Sequence, residues 1–192
     1  MIKGFKLLLS IKFMEQTLIV VDDKDKILGY APRSECHTGK GRRHRAFVIL
    51  LYDKDKKILL QHRKHKLFDK RWDLAGASHP LHVDGKDDSY IEAASRCLRN
   101  EWGIESVRLE KIGAFNYFKE DGKNCENEYC ALIVGKYDGE LKANAETAYG
   151  FRMVSLEQLL SEVEKKPETF TPWSIEAVKI LRNHELGGRL LK

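Results

Sequence analysis

Five residues of the sequence could together hold a divalent cation. Glu126 and Glu128 are two residues apart in a strand-like segment, so their carboxylates share one face and repel unless a cation or proton intervenes. His37, His44 and His79 lie in or beside predicted loops, and imidazoles with carboxylates suit ions such as Zn²⁺ or Mn²⁺. Each residue alone is equally typical of a solvated loop or an exposed strand face. The spacing therefore leaves two interpretations, a metal site and an ordinary polar surface.

A basic loop predicts an anion-binding function. Arg63, Lys64 and Lys66 lie within the segment 62–71. Arginine contacts phosphate oxygens in pairs and lysine acts as a point charge, although most charge runs are simply solvated. Few aromatic residues accompany the loop, whereas single-stranded nucleic acid is usually held by stacked aromatic rings. We therefore expect a small phosphorylated ligand and no nucleic-acid partner.

The charge of the whole chain is unevenly distributed. The 192 residues include 34 Lys and Arg and 29 Asp and Glu, which gives a net charge of +5. Segment 37–71 alone holds twelve basic and three acidic residues. A local excess of this kind indicates an anionic partner. The hydrophobic fraction of 42% excludes disordered and collagen-like proteins and is typical of a soluble globular protein.

The sequence predicts a cytoplasmic protein without a membrane partner. The apolar stretch 5–13 is interrupted by Lys6 and Lys12 and is too short to span a bilayer or to act as a signal peptide. The four cysteines lack CxxC spacing, which indicates reduced thiols. We expect residues 1–13 to be a loose arm or a mis-assigned start, and residues 14–192 to form a single domain. The sequence does not determine the oligomeric state.

The elements that must position these residues form an α+β pattern. Helices are predicted at 87–102, at 155–165 and from residue 171 onward, with Asp87 or Asp88 as one cap and Ser155 opening a capping box. A loop is expected at 32–41. Strands are predicted at 17–21, 27–30, 45–52, 57–61, 72–75, 107–117, 126–134 and 149–154. This order favours mixed β-sheets sandwiched between α-helices.

Residues 96–104 (Arg-Cys-Leu-Arg-Asn-Glu-Trp-Gly-Ile) resemble a degenerate Nudix box, whose usual pattern is R-E-U-x-E-E-x-G-U. The matching positions are Arg96, Glu101, Gly103 and Ile104. Cys97 and Asn100 replace two of the glutamates with which most Nudix hydrolases hold Mg²⁺. The resemblance implies a Nudix fold and argues against hydrolysis by the usual route.

Further motifs make residues 15–185 similar to type I isopentenyl diphosphate isomerases, a Nudix branch that does not hydrolyse its substrate. These motifs are Cys36-His37, His44-Arg45-Ala46-Phe47, Ser78-His79-Pro80, Phe115-Asn116-Tyr117, Glu126-Asn127-Glu128-Tyr129-Cys130 and Thr171-Pro172-Trp173. The resemblance implies a metal site with the ligands His37, His44, His79, Glu126 and Glu128. It therefore favours the metal interpretation of these five residues.

The resemblance also implies catalytic roles for three residues. Glu128 would be both metal ligand and acid/base, Tyr117 its active-site partner, and Trp173 the aromatic face toward a carbocation-like intermediate.

Diphosphate binding is implied for Arg63, together with Lys64 or Lys66. Glu101 would help to hold Mg²⁺ on the diphosphate. The implied cofactor is Mg²⁺, with Mn²⁺ or Zn²⁺ as alternatives at the histidine and glutamate site.

One position departs from the isomerase pattern. The family's catalytic cysteine lies two residues before the histidine of the H-P motif, and this position is Ala77 here. Alanine cannot exchange a proton. Ser78 is adjacent, but its side chain is expected to point the other way. Cys36 and Cys130 are the thiols that could approach from elsewhere.

Three functions are therefore compared. The first is metal-dependent isomerisation of isopentenyl diphosphate to dimethylallyl diphosphate. The second is hydrolysis of a nucleotide or isoprenoid diphosphate, which needs no cysteine. The third is a binder of diphosphate or nucleic acid that has lost its chemistry. Glu128, Tyr117 and Trp173 together favour the first, and Ala77 opposes it.

Overall fold

The computed structural model describes residues 15–192, so the expected arm of residues 1–13 lies outside the described residues. The strands are β1 (Thr17–Val21), β2 (Ile27–Pro32), β3 (His44–Tyr52), β4 (Ile58–Arg63), β5 (Trp72–Asp73), β6 (Gly76–Ser78), β7 (His82–Val83), β8 (Lys86–Asp87), β9 (Leu109–Asp121), β10 (Asn124–Lys136) and β11 (Ala148–Val154). The helices are α1 (Arg33–Cys36), α2 (Tyr90–Trp102), α3 (Leu156–Lys165), α4 (Pro172–Asn183) and α5 (Glu185–Leu191), with a 3₁₀ turn at Pro167–Thr169.

Nine strands form one mixed sheet around β3. The order β11-β4-β3-β1-β2 is extended by β10, which pairs in parallel with β3 and antiparallel with β9. The short strands β5 and β6 pair with β4 and β3. Strands β7 and β8 form a separate hairpin. Strand β3 is thus paired along both of its edges, and other elements can pack only on its two faces.

Helices cover the two faces of this sheet, as the predicted sandwich requires. Ala46, Val48 and Leu50 of β3 pack in a core cluster with residues of α3, α4 and α5. The alternate residues Phe47 and Ile49 pack in a second cluster with α2. Because side chains alternate along a strand, both sets of β3 side chains are buried. The α+β prediction is confirmed.

Three local predictions differ from the structure. The predicted loop 32–41 contains the helical turn α1. The predicted strand 72–75 is interrupted by Leu74 and Ala75, and a separate strand begins at Gly76. Helix α2 begins at Tyr90 with Ser89 as its cap, because Asp87 pairs within the β7–β8 hairpin instead.

The predicted capping box at Ser155 is only half formed. The Ser155 hydroxyl accepts from Gln158 N, whereas the Gln158 side chain donates to Glu162. Helix α2 carries the complete box, because Ser89 and Glu92 satisfy each other's backbone N–H groups. Among residues 15–192, no helix has the length and apolarity needed to cross a membrane.

Candidate functional site

Four structural segments bring the five predicted metal ligands together. Parallel pairing of β3 with β10 aligns His44 with Glu128. Glu126 lies two residues earlier on the same strand, and His37 follows α1, where its carbonyl accepts from Cys125 N. His79 directly follows β6, which is hydrogen-bonded to the other edge of β3. All five side chains are buried.

The potential ligand atoms of the cluster are close enough for one ion. One donor atom from each of the five residues lies within 4.8 Å of the others. His37 Nε2 is 3.1 Å from a Glu126 oxygen, and His44 Nε2 is 3.5 Å from Glu128 Oε1. Three imidazoles and two carboxylates could occupy the coordination sphere of a divalent cation.

The buried polar atoms of the cluster are arranged as a bound cation would require. Among residues 15–192, His37 Nε2, His44 Nε2 and Glu126 Oε2 are buried and have no hydrogen-bond partner, although His37 Nε2 and Glu126 Oε2 lie 3.1 Å apart. The Nδ1 atoms of His37 and His44 face the carbonyls of Arg33 and Arg42 at 2.9 Å and 2.8 Å. These carbonyls require an Nδ1–H donor, which leaves the Nε2 lone pairs directed into the cluster. A bound cation would satisfy atoms that are otherwise costly to bury.

His79 is held differently from the other two histidines. Its Nδ1 lies 2.9 Å from Arg33 Nη1, and a guanidinium can only donate, so Nδ1 accepts. The proton is therefore on Nε2, which donates to Glu128 Oε1 at 3.0 Å. Coordination through His79 Nε2 requires Arg33 to leave this contact. Arg33 also lines the adjoining pocket.

Glu128 is placed at the junction of the cluster and the pocket. The Tyr117 hydroxyl, on the neighbouring strand β9, donates to Glu128 Oε2. Burial raises the pKa of Glu128, but the hydrogen bonds that it accepts, among them the one from Tyr117, outweigh burial, so the pKa lies below its ordinary value. Burial and the nearby glutamates hold the pKa of Tyr117 well above its ordinary value. Tyr117 is thus a hydrogen-bond donor at neutral pH and Glu128 is an acceptor.

The pocket beside the cluster has a volume of about 310 Å³. The predicted site residues on its wall are Arg63, Lys64, His79, Glu101, Tyr117, Glu126, Glu128 and Trp173. Lys66 is not among them, because it is exposed and lines an adjoining cleft with Arg33 and His37. Of the two lysines predicted to bind diphosphate, Lys64 is the one that lines this pocket.

Glu101 reaches the pocket from helix α2 and is already hydrogen-bonded. Gln61 Nε2 donates to one of its oxygens at 2.9 Å, and Cys97 Sγ lies 3.3 Å from the other. Burial raises the pKa of Glu101, and the contacts with Gln61 and Cys97 oppose this shift. Cys97 occupies a position at which the Nudix box has a glutamate. A potential metal ligand is therefore replaced by a thiol that donates to the carboxylate of Glu101.

Ala77, the residue at which the sequence departs from the isomerase pattern, lines the pocket. Ala77 pairs with Val48 of β3 and lines the cavity. Ser78 also borders the cavity, but it pairs with Phe47, whose side chain lies on the opposite face of β3 from that of Val48. Cys130 is the one cysteine of the chain on this wall, and burial raises the pKa of its thiol well above the ordinary value. Cys36 is buried but does not line the pocket.

Three polar residues of the site were missed by the sequence analysis. Arg33 and Gln61 line the pocket, and Asp73 is fully buried behind Trp173 and Arg63. An acidic residue within a predicted apolar strand was the available signal for Asp73. Arg33 and Gln61 give no such signal, because their relevance depends on which chain segments meet.

The fold and site together define a class of protein. It is a mixed-sheet sandwich with a cluster that could hold a divalent cation, beside a pocket whose wall includes the cationic side chains of Arg33, Arg63 and Lys64. The NUDIX domain pattern matches residues 42–174. The chain belongs to the Nudix family.

Relatives in sequence that cover most of the chain share one name. The chain is 30% identical to isopentenyl-diphosphate Delta-isomerase of Serratia proteamaculans over 176 residues, covering 90% of this chain and 95% of the relative. It is 33% identical to the protein of the same name from Haloarcula marismortui, covering 78% and 81% of the two chains. The resemblance inferred from the short motifs is confirmed.

Solved structures confirm the fold. DR0079 from Deinococcus radiodurans superposes with a TM-score of 0.67 at 16% identity, covering 85% of this chain and 98% of that protein. The MutT protein from Methanosarcina mazei superposes with a TM-score of 0.56 at 21% identity, covering 72% and 92%.

Proposed function

We propose that this protein is a metal-dependent isomerase that converts isopentenyl diphosphate to dimethylallyl diphosphate. The observation that carries the proposal is the contact of Glu128 with Tyr117 on one side and with the histidine cluster on the other. This carboxylate borders the pocket, and a proton exchanger must reach a substrate there. Relatives covering most of the chain carry the isomerase name, which supports the same reaction.

The pocket offers separate groups for the two ends of such a substrate. Arg63 and Lys64 supply positive charge for the diphosphate. Glu101 would assist through a Mg²⁺ ion on the diphosphate oxygens. Trp173, which is 3% exposed, supplies an aromatic face for the hydrocarbon end.

The reaction moves one double bond by exchanging two protons. A proton adds to the terminal alkene carbon, and the resulting tertiary cation loses a proton from the adjacent carbon on the opposite face. An alkene is weakly basic, so a well-placed acid in a pocket shielded from water is required. Glu128 exchanges one of these protons, with Tyr117 orienting it. The electron-rich face of Trp173 stabilises the cation.

A divalent metal at the cluster is part of this proposal. Mg²⁺ fits the carboxylates, and Mn²⁺ or Zn²⁺ fits the imidazoles better. When bound, the ion supplies positive charge that orients Glu128 and favours its ionised form.

Ala77 favours a second candidate, hydrolysis of a small diphosphate, because this position lacks the family's cysteine. Hydrolysis needs no second proton exchanger, but it does need carboxylates to hold Mg²⁺. The Nudix helix retains Glu101 and has lost the glutamates at positions 97 and 100. Isomerisation is therefore the better supported reaction.

One incubation separates these reactions. Purified protein is mixed with isopentenyl diphosphate and Mg²⁺ in D₂O. Deuterium in the recovered allylic diphosphate is the expected result. Release of phosphate or pyrophosphate would favour the hydrolase. Tight binding without either product would favour the third possibility, a protein that binds diphosphate without converting it.

A further inference from the structure

The Trp173 and Arg63 side chains are connected through one buried carboxylate. Asp73, at the end of β5, has no exposed surface. Its Oδ1 accepts from Trp173 Nε1 at 2.8 Å, and its Oδ2 lies 3.4 Å from Arg63 Nη1. The Arg63 guanidinium carbon is also 5.0 Å from the centre of the Trp173 ring. The three groups thus form a closed triangle at the pocket wall.

Every neighbour of Asp73 presents a donor to it. Besides the indole, Leu74 N donates at 2.9 Å, and the hydroxyls of Thr171 and Ser174 lie at 3.1 Å and 2.8 Å from Oδ1. Indole, backbone and guanidinium N–H groups cannot accept a proton. These fixed donors favour the ionised carboxylate, whereas complete burial opposes it and raises the pKa of Asp73 above its ordinary value.

This arrangement is more than is needed to attach helix α4 to the sheet. The hydroxyls of Thr171 and Ser174 already hold the start of that helix on Asp73, and Leu74 N also donates to Ser174 at 3.1 Å. The additional contacts to Trp173 and Arg63 involve the two side chains that would meet opposite ends of a substrate. A carboxylate on the indole N–H also increases the electron density of the ring, which strengthens its attraction for a cation.

We propose that Asp73 is a positioning residue that fixes Trp173 and Arg63 as one unit, so that a substrate whose diphosphate is bound at Arg63 has its hydrocarbon end at Trp173. This inference rests on the proposed isomerisation. It goes beyond that reaction by assigning a role to a residue that does not line the pocket.

The test replaces Asp73 by asparagine and follows two signals. Asp73→Asn keeps an acceptor for the indole but removes the charge and places an amide near Arg63. The indole N–H proton resonance of Trp173, assigned with Trp173→Phe, should move upfield because its acceptor is no longer ionised. The dissociation constant of inorganic pyrophosphate with Mg²⁺ should rise about tenfold, since Arg63 loses its anionic partner.

Two further variants distinguish positioning from mere attachment of the helix. Ser174→Ala removes one donor to Asp73 and leaves both the indole and the Arg63 contacts. It should change pyrophosphate affinity and turnover less than twofold. In the isomerase assay, Asp73→Asn should lower kcat about tenfold in the wild-type background and less than threefold in the Trp173→Phe background. Equal effects of Asp73→Asn and Ser174→Ala, or additive effects of Asp73→Asn and Trp173→Phe, would overturn the proposal.

The wild-type protein supplies a test that does not depend on the variants' folding. Titration with pyrophosphate and Mg²⁺ should shift the Trp173 indole resonance, because an anion bound at Arg63 changes the charge around the Asp73 carboxylate that accepts from the indole. An unmoved resonance at saturation would contradict the coupling. If the wild-type protein incorporates no deuterium, the proposed isomerisation fails, whereas the resonance and pyrophosphate measurements still test the role of Asp73.

Discussion

The five-residue cluster and the Nudix helix α2 are both positioned to hold cations, but they differ in how many unpaired ligand atoms they offer. In the part of the chain that the structure describes, three buried polar atoms of the cluster have no hydrogen-bond partner: His37 Nε2, His44 Nε2 and Glu126 Oε2. Helix α2 contributes a single carboxylate to the pocket, Glu101, which already accepts from Gln61.

This contrast shows how one fold supports different chemistry. A helix with several carboxylates can hold metal ions on a diphosphate and activate it for attack. Here the greater concentration of ligand atoms is on the strands and loops, beside the Glu128–Tyr117 pair. In the proposed function, a metal in that position would orient a proton exchanger, and Glu101 of the helix would have a supporting role at the diphosphate.

The largest expected effect is the loss of activity when Glu128 of the five-residue cluster is replaced. Glu128→Gln should lower the rate of deuterium incorporation about 1,000-fold, because the amide cannot exchange the proton. Glu101→Gln should instead raise the Mg²⁺ concentration needed for half-maximal rate, and excess Mg²⁺ should restore much of the activity.

The exposed Glu120, near the end of strand β9, provides the matched control. Glu120→Gln should leave the rate unchanged. A Glu128→Gln rate within tenfold of the wild type would show that Glu128 is not the proton exchanger.

Metal content should separate the two regions directly. His79→Ala should weaken binding of a divalent metal in the absence of substrate about 100-fold or more, since loss of even a supporting partner costs 10- to 100-fold. Glu101→Gln should leave that binding intact. Elemental analysis after gel filtration measures both, with His82→Ala as a histidine control outside the cluster. Stoichiometric metal in His79→Ala would exclude the five-ligand site.

Restoring a thiol on the pocket wall should increase activity. Ala77→Cys supplies a second proton exchanger at the position of the family's cysteine, and turnover should rise about tenfold or more. Ala77→Ser, which adds a group of similar size that exchanges protons poorly, should rise less. An unchanged rate in folded, metal-loaded Ala77→Cys would show that this side of the pocket does not contribute to proton exchange.

The smallest expected effect concerns a histidine of the basic loop. Burial and the nearby Arg63 lower the pKa of His65 to about 4, from an ordinary value near 6.5. The folded state therefore takes up this proton less readily than the unfolded chain, so the stabilisation is complete above pH 6.5 and is lost as the pH falls toward 4.

His65→Asn should reduce the acid-induced loss of unfolding free energy by about 1 kcal/mol at pH 4, after allowance for partial solvent exposure. Urea denaturation at several pH values measures this. His184 accepts from Leu186 N at 3.1 Å, as His65 does from Leu67 N, and is the matched control. If His65→Asn and His184→Asn change the pH dependence of the unfolding free energy equally, the effect comes from the lost acceptor of the backbone N–H and not from the burial of His65.

The sequence predicted that the five residues of the cluster share one site because short motifs carry them, and the structure places them together. Glu126 and Glu128 share a face by strand periodicity, and His79 belongs to a recognisable tripeptide. The helix at 87–102 was recognised from its apolar spacing, although its start was wrong because Asp87 was needed in a hairpin.

Residues whose place in the site depends on contacts between distant segments could not be predicted from the sequence. Arg33 becomes part of the site only because the turn α1 places it against His79. Lys66 seemed equivalent to Lys64, but the two lysines of the loop line different cavities. Asp73 has no recognisable motif, and its partners Trp173 and Ser174 are about 100 residues away in the sequence. Spacing within a segment reports none of these contacts.

The parallel pairing of β3 with β10 also has a consequence for folding. His44 and Glu128 align only in one register, and a slip of one residue would turn either Glu128 or His44 to the other face of the sheet. Parallel pairing of distant strands is slow to form because a long loop must close first. The ligand cluster is therefore complete only after this late step, and metal uptake by refolding protein would follow the final pairing of the sheet rather than the initial collapse of the chain.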